Sequence, residues 1–138
     1  MNNHLTGKWT GIIIYGADYE NQKDEKLFFV ADLTIEDGNI FGSSKDLNQK
    51  VDTGIAIITG FIDNDLVSFI KRYEFEFYFD EKGNTIIDKT KPGPPITYTG
   101  VYNSQTNSIE GHWEVIDDRN VNSEIEAIGE GTFQMKKE

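Results

Sequence analysis

One lysine is the side chain best placed to do chemistry. Lys71 shares strand parity with Val67 and Phe69, so all three are predicted to point to the same interior face. A buried ammonium needs a partner, and Asp46 or Tyr98 could serve; such an arrangement could bind a carboxylate. The sequence favours a different placement, in which Lys71 lies at the mouth of the interior and extends its ammonium to water.

Four aromatic residues are candidates to line a pocket for an apolar or flat ligand: Trp9, Phe69, Tyr98 and Trp113. The alternative is that they fill the core, as aromatic side chains do in most small domains. Three glycines fall on inward positions: Gly11, Gly111 and Gly131. Their missing side chains leave room for a ligand, for large neighbours or for strand bending.

Catalytic chemistry has less support in the sequence. There is no cysteine, nucleophile elbow or phosphate loop, and the two histidines, His4 and His112, lack metal-binding spacing. A small barrel enzyme would have to use Tyr15 and Tyr98 with Asp46. We therefore predict a protein that is not an enzyme and has no catalytic residues, metal or cofactor. The predicted ligand-binding set is Trp9, Tyr15, Phe69, Lys71, Tyr98 and Trp113.

Composition narrows the choice of partner. The 138 residues predict one domain, and 24 acidic against 13 basic residues give a net charge of −11. This charge disfavours nucleic acid and anionic membranes, and it suits solubility or a basic protein partner. The start Met1–Leu5 has no signal-peptide pattern, and no apolar run reaches the length of a membrane helix. We expect a cytoplasmic protein.

The elements that must position these residues are β-strands. Eight main strands are predicted: Thr6–Tyr15, Leu27–Glu36, Ile40–Asp46, Gly54–Ile62, Leu66–Tyr73, Ile96–Tyr102, Ser108–Ile116 and Glu126–Lys136. An extension of the fifth strand through Phe79 is also predicted. A turn at Glu81–Asn84 then leads the chain into a short strand, Thr85–Ile87. Asp37–Asn39 and Asp63–Asp65 are predicted tight turns. Strands in this number close into an up-and-down barrel or stack as a sandwich, and an eight-stranded barrel holds side chains or one small ligand.

Five motifs resemble those of avidin and streptavidin in order and spacing: Gly7–Trp9, Ile58–Asp63 followed by Val67–Lys71, Thr97–Tyr102, Ile109–Trp113 and Gly129–Phe133. The first matches a Gly-x-Trp start that lipocalins share. The resemblance implies an eight-stranded, antiparallel, up-and-down β-barrel of the avidin-like or lipocalin-like (calycin) type over residues 1–138. It also implies a homo-oligomer formed through barrel faces.

The resemblance is uneven at the ligand site. The positions of the avidin tryptophans are aromatic here, at Phe69, Tyr98 and Trp113. The positions of the polar groups that bind the biotin ring fall at or near Gly11, Tyr15, Ser44, Asp46, Pro94, Ile96 and Gly131. Each hydrogen bond left unmade on the buried ring costs about 1–3 kcal/mol. Biotin is therefore not the expected ligand.

The leading hypothesis is a non-enzymatic binding module that holds a small apolar or aromatic ligand in the barrel. The alternative is an acidic protein-interaction module, of the inhibitor or immunity type, with a filled barrel. A small barrel enzyme is the third hypothesis.

Overall fold

The computed structural model describes residues 5–16, 26–47, 54–79, 81–82, 84–91, 93–117 and 126–138. They form β1 (Gly7–Tyr15), β2 (Lys26–Glu36), β3 (Asn39–Asp46), β4 (Ile55–Asp63), β5 (Leu66–Tyr73), β6 (Glu76–Phe79), β7 (Thr85–Asp88), β8 (Ile96–Asn103), β9 (Ser108–Asp117) and β10 (Glu126–Lys137). In this part of the chain, no helix is long and apolar enough to cross a bilayer.

Eight of the strands close into one antiparallel barrel. Their order is β1–β10–β9–β8–β5–β4–β3–β2, so each strand pairs with its neighbours in the chain apart from the inserted β6–β7 hairpin. β1 pairs with both β10 and β2, which closes the sheet and rules out the sandwich. The predicted up-and-down barrel is confirmed, and it is consistent with a calycin-like fold.

The inner wall follows from the period of two in the sequence. In β2 every second residue is buried, from Leu27 to Ile35, while the residues between them are exposed. Successive side chains of a strand point to opposite faces, so one set fills the barrel and the other meets solvent. The sequence therefore fixes which side chains face inward.

One end of the barrel is closed by tight turns and a plug. Asp37 and Gly38 have φ values of 53° and 81°, the positive pair that a two-residue type I′ hairpin requires. Asn64 also has a positive φ in the next turn, so both predicted turns are confirmed. Inside this closed end, Leu5 is fully buried and its carbonyl accepts a 2.9 Å hydrogen bond from Trp9 Nε1.

The opposite end, which we call the loop end, carries all the long connections. They span residues 16–25, 47–54, 74–95 and 118–125, whereas the closed end uses residues 37–38, 64–65 and 104–107. Binding residues concentrate where long loops meet a rigid scaffold. The inner side chains at the loop end are therefore the first candidates for a functional site.

The predicted continuation of the fifth strand through Phe79 is wrong. β5 ends at Tyr73, the chain bends at Glu74–Phe75, and β6 pairs with β7 in a separate two-stranded sheet. Gly93 packs at this bend: a Cβ there would lie 2.6 Å from the Tyr73 carbonyl oxygen. The backbone before β8 therefore lies closely beside the end of β5.

Two inward glycines make room for aromatic rings. A Cβ on Gly11 would lie 2.1 Å from the Phe29 ring, and one on Gly131 would lie 2.7 Å from the Trp113 ring. At Gly111, a Cβ would lie 1.9 Å from a backbone carbonyl oxygen of the neighbouring strand. Of the three predicted uses for these glycines, accommodation of large neighbours holds at Gly11 and Gly131.

Candidate functional site

Four polar side chains converge inside the loop end of the barrel, and we call them the inner polar cluster: Ser44, Asp46, Lys71 and Tyr73. They come from β3 and β5, which lie on either side of β4. The inward residue of β4 that pairs with both Ser44 and Tyr73 is Ala56, whose side chain is small. The long side chains of β5 can therefore reach across β4 to β3.

A carboxylate is the centre of this cluster. The Tyr73 hydroxyl donates to Asp46, at 2.9 Å from Oδ1 and 2.7 Å from Oδ2. Lys71 Nζ lies 3.7 Å from Asp46 Oδ1, and both side chains of this ion pair are 1% exposed. Burial of two charges is tolerated only when they are close and further hydrogen bonds support them, as Tyr73 does here.

Aromatic rings surround the ammonium on its other sides. Lys71 Nζ lies 4.6 Å from the ring centroid of Phe29, 5.1 Å from that of Tyr73 and 5.7 Å from that of Tyr98. The negative faces of these rings attract a cation in place of the lost water. The interpretation that the sequence favoured, an ammonium extended to water at the barrel mouth, is wrong. Lys71 is buried instead and pairs with Asp46, one of the two partners considered for the inward orientation.

Burial and charge shift the protonation of the cluster. Burial lowers the pKa of Lys71, and the nearby carboxylate of Asp46 opposes this shift. Burial raises the pKa of Tyr73 well above its usual range, and Asp46 reinforces the shift because an ionised tyrosine would face a carboxylate. Tyr73 therefore stays protonated and acts as a hydrogen-bond donor at neutral pH.

The raised pKa of Tyr73 predicts an alkaline loss of stability. Tyr73 loses its proton near pH 10 when unfolded and keeps it to higher pH when folded, so stability falls as pH rises above about 10. One such group contributes a slope approaching ~1.4 kcal/mol per pH unit. Urea unfolding from pH 8 upwards should show this slope in the wild type and a shallower one in Tyr73→Phe. Equal slopes in the two proteins would contradict the assignment.

Two polar atoms of the cluster lack hydrogen bonds. Lys71 Nζ and Ser44 Oγ are fully buried, and neither forms a hydrogen bond with the residues that the structure describes. Ser44 is flanked in register by Ala31 on β2 and Ala56 on β4, so three small side chains lie side by side on this wall. A buried polar group without a partner costs about 1–3 kcal/mol, so each of these two atoms needs a specific explanation.

An aromatic wall adjoins the cluster. Phe69 and Tyr98 stack with centroids 4.7 Å apart, and Phe133 meets both rings edge-on. Tyr15 meets Trp113 edge-on at 5.7 Å. Tyr98 belongs to this wall and also faces the Lys71 ammonium, so the aromatic wall and the inner polar cluster are contiguous.

The structure brings together five of the six predicted site residues. Phe69 stacks on Tyr98, and Lys71 Nζ lies 5.7 Å from the Tyr98 ring centroid. Trp113 pairs with Tyr98 across β8 and β9, and Tyr15 meets Trp113 edge-on. Trp9 lies apart from them, bonded to Leu5 at the closed end.

Sequence reasoning left Tyr73, Ser44 and Phe29 out of the site. Tyr73 could have been found, because it shares the inward parity of Phe69 and Lys71 on β5. Ser44 and Phe29 have inward parity too, but parity alone does not say which inner residues lie at the same level of the barrel.

Within the described ranges, no group of three or more histidine or acidic side chains is placed to hold a metal ion. Comparisons of the chain with protein-family models, with curated proteins and with solved structures give no match. The function is therefore inferred from the inner polar cluster and the aromatic wall.

Proposed function

We propose that the protein is a non-enzymatic, avidin-like binding module that holds one small, flat ligand inside the loop end of its barrel. The observation that carries this proposal is the aromatic wall beside two buried polar atoms that form no hydrogen bond with the described residues. Pockets for small ligands combine apolar, aromatic walls with a few placed polar groups. The strand order and the five sequence motifs support the avidin-like part of the proposal.

The chemistry of the cluster favours binding over catalysis. Asp46 is occupied by Tyr73 and Lys71, so it is poorly placed to accept a proton from a substrate. Biotin is disfavoured by two positions near the wall: Ile96, two residues before Tyr98 on β8, is a buried apolar side chain, and Gly131 lies against the Trp113 ring. Neither position offers a side-chain hydrogen bond to a polar ring.

The test is the melting temperature of the purified protein with a panel of flat aromatic compounds and biotin. A ligand present at a hundred times its dissociation constant should add about 2.7 kcal/mol of stability. This should raise the melting temperature by roughly 5–10 °C for flat aromatic compounds and leave it unchanged for biotin. If no compound raises it, the barrel is not a receptor for such ligands.

A second candidate function is protein interaction through the outside of the barrel. Seven large apolar side chains on the outer side of β3, β4, β5 and β8 are between 44% and 58% exposed, and we call them the outer apolar face: Phe41, Ile55, Ile57, Phe61, Leu66, Ile70 and Val101. Apolar patches of this kind mark protein interfaces. The partner that this face fits best is a second copy of the chain.

The distribution of charge supports that partner. Among the described outward side chains of these four strands, Lys45 and Arg72 are basic and Asp63 is acidic. Other strands carry exposed acidic residues: Asp32, Glu36, Glu110, Glu114 and Glu130. Two chains of net charge −11 therefore repel least when they approach through the outer apolar face.

Sedimentation over a wide range of protein concentration tests this second function. The wild type should form dimers at the higher concentrations, and Ile57→Glu should remain monomeric because it places a charge in the face. Thr132→Glu, on the outer side of β10, is the matched control and should dimerise like the wild type. A wild type that stays monomeric throughout would leave this face without the proposed partner.

A further inference from the structure

The charge balance of the inner polar cluster limits which ligands it can take. Lys71 and Asp46 are buried together with Nζ 3.7 Å from Oδ1, and they supply one positive and one negative charge. Tyr73 donates to both oxygens of Asp46. The cluster therefore carries no net charge before any ligand enters.

A charged ligand would upset this balance. The ring faces of Phe29, Tyr73 and Tyr98 already surround the Lys71 ammonium, so the place for a cation is filled. An anionic ligand beside Lys71 would put a second negative charge close to Asp46, whose side chain is 1% exposed and so poorly screened by solvent. An uncompensated buried charge is strongly unfavourable, whereas a neutral ligand adds none.

The remaining hydrogen-bonding capacity defines the polar group of the ligand. The Lys71 ammonium has three hydrogens and no acceptor, and it forms no hydrogen bond with the described residues. An acceptor oxygen on the ligand would satisfy it. Tyr98 lies 5.7 Å from the ammonium and stacks on Phe69, so a flat ring that packs against the aromatic wall beside Tyr98 would bring an acceptor attached to it close to Lys71.

We propose that the barrel selects a neutral, flat molecule whose carbonyl-type oxygen accepts a hydrogen bond from Lys71, and that it discriminates against the corresponding carboxylate. This inference rests on the proposed ligand-binding function. From Lys71 alone, the expected ligand group was a carboxylate. A neutral group is proposed instead, because the buried Asp46 already neutralises the ammonium.

Three probes that share one ring system test the inference: naphthalene carboxamide, naphthalene carboxylate and naphthalene. Their affinities are measured by calorimetry at pH 7 for the wild type, Lys71→Met and the double variant Lys71→Met/Asp46→Asn. Lys45→Met is the matched control, because Lys45 lies on the outer side of β3. The double variant keeps the interior neutral and so guards against a single variant that fails to fold.

The wild type should bind the carboxamide about tenfold more tightly than the carboxylate. Loss of Lys71, in the single or the double variant, should weaken carboxamide binding about tenfold and leave naphthalene binding unchanged. Lys45→Met should match the wild type for all three probes.

Tighter binding of the carboxylate would overturn the selection of a neutral ligand and leave the proposed function intact. A carboxamide preference that persists without Lys71 would overturn its role as the donor. No binding of any probe, naphthalene included, would overturn the proposed function itself.

Discussion

Asp46→Asn is expected to lower the free energy of unfolding by about 3–5 kcal/mol, although the two side chains have nearly the same size. The substitution removes the carboxylate that lies 3.7 Å from the Lys71 ammonium and leaves that cation in the barrel interior. It also replaces the carboxylate that accepts the Tyr73 hydroxyl. Urea unfolding followed by tryptophan fluorescence measures the loss.

The double variant Lys71→Met/Asp46→Asn separates a lost interaction from an uncompensated charge. Methionine is about as long as lysine without its amine, so the double variant should recover most of the stability lost in Asp46→Asn. Lys45→Met/Asp46→Asn, with the outer lysine changed instead, should recover none of it. If both double variants are as unstable as Asp46→Asn, the cost comes from the Tyr73 hydrogen bond and not from the buried ammonium.

This comparison also bears on why the barrel contains an ion pair. Apolar side chains of the same volume usually stabilise a core as well as a buried ion pair does. The cluster is therefore a poor device for holding β3 and β5 together. A fixed ammonium with unused hydrogens is better explained as part of a ligand site, which is the function proposed for it.

Much of the fold could be predicted from local sequence. Alternation in strands such as β2 predicts which side chains form the inner wall. The Asp37-Gly38 pair predicts a tight turn, and the positive φ angles of both residues confirm it. The end of β5 could not be predicted in this way. Strand-like residues continue to Phe79, and the break at Tyr73 lies where Gly93, twenty residues further along the chain, packs against the backbone.

The candidate site could be predicted only in part, for a related reason. Parity shows that Lys71 points inward, but whether its ammonium reaches water depends on its depth along the barrel axis. Depth follows from the registers of several strands, which no local pattern gives. The contact between Tyr73 and Asp46 requires the registers of β3 with β4 and of β4 with β5 together.

Trp9 was predicted to bind the ligand because its depth along the barrel axis was not known from the sequence. The structure places it at the closed end, and two substitutions test its role there. Trp9→Ala is expected to lower the free energy of unfolding by about 3–5 kcal/mol, because the fully buried ring leaves a cavity. Trp9→Phe keeps most of the ring and loses the bond to the Leu5 carbonyl, at a cost of about 1 kcal/mol. Chemical denaturation of both variants measures these losses.

The same variants decide whether Trp9 belongs to the ligand site. Since Trp9 lies at the closed end, Trp9→Phe should bind naphthalene carboxamide as the wild type does. Trp113→Phe is the matched control on the wall near Tyr15, and it should weaken binding because the larger ring and its packing are lost. If Trp9→Phe weakens binding more than Trp113→Phe does, the ligand reaches the closed end and Trp9 is a binding residue after all.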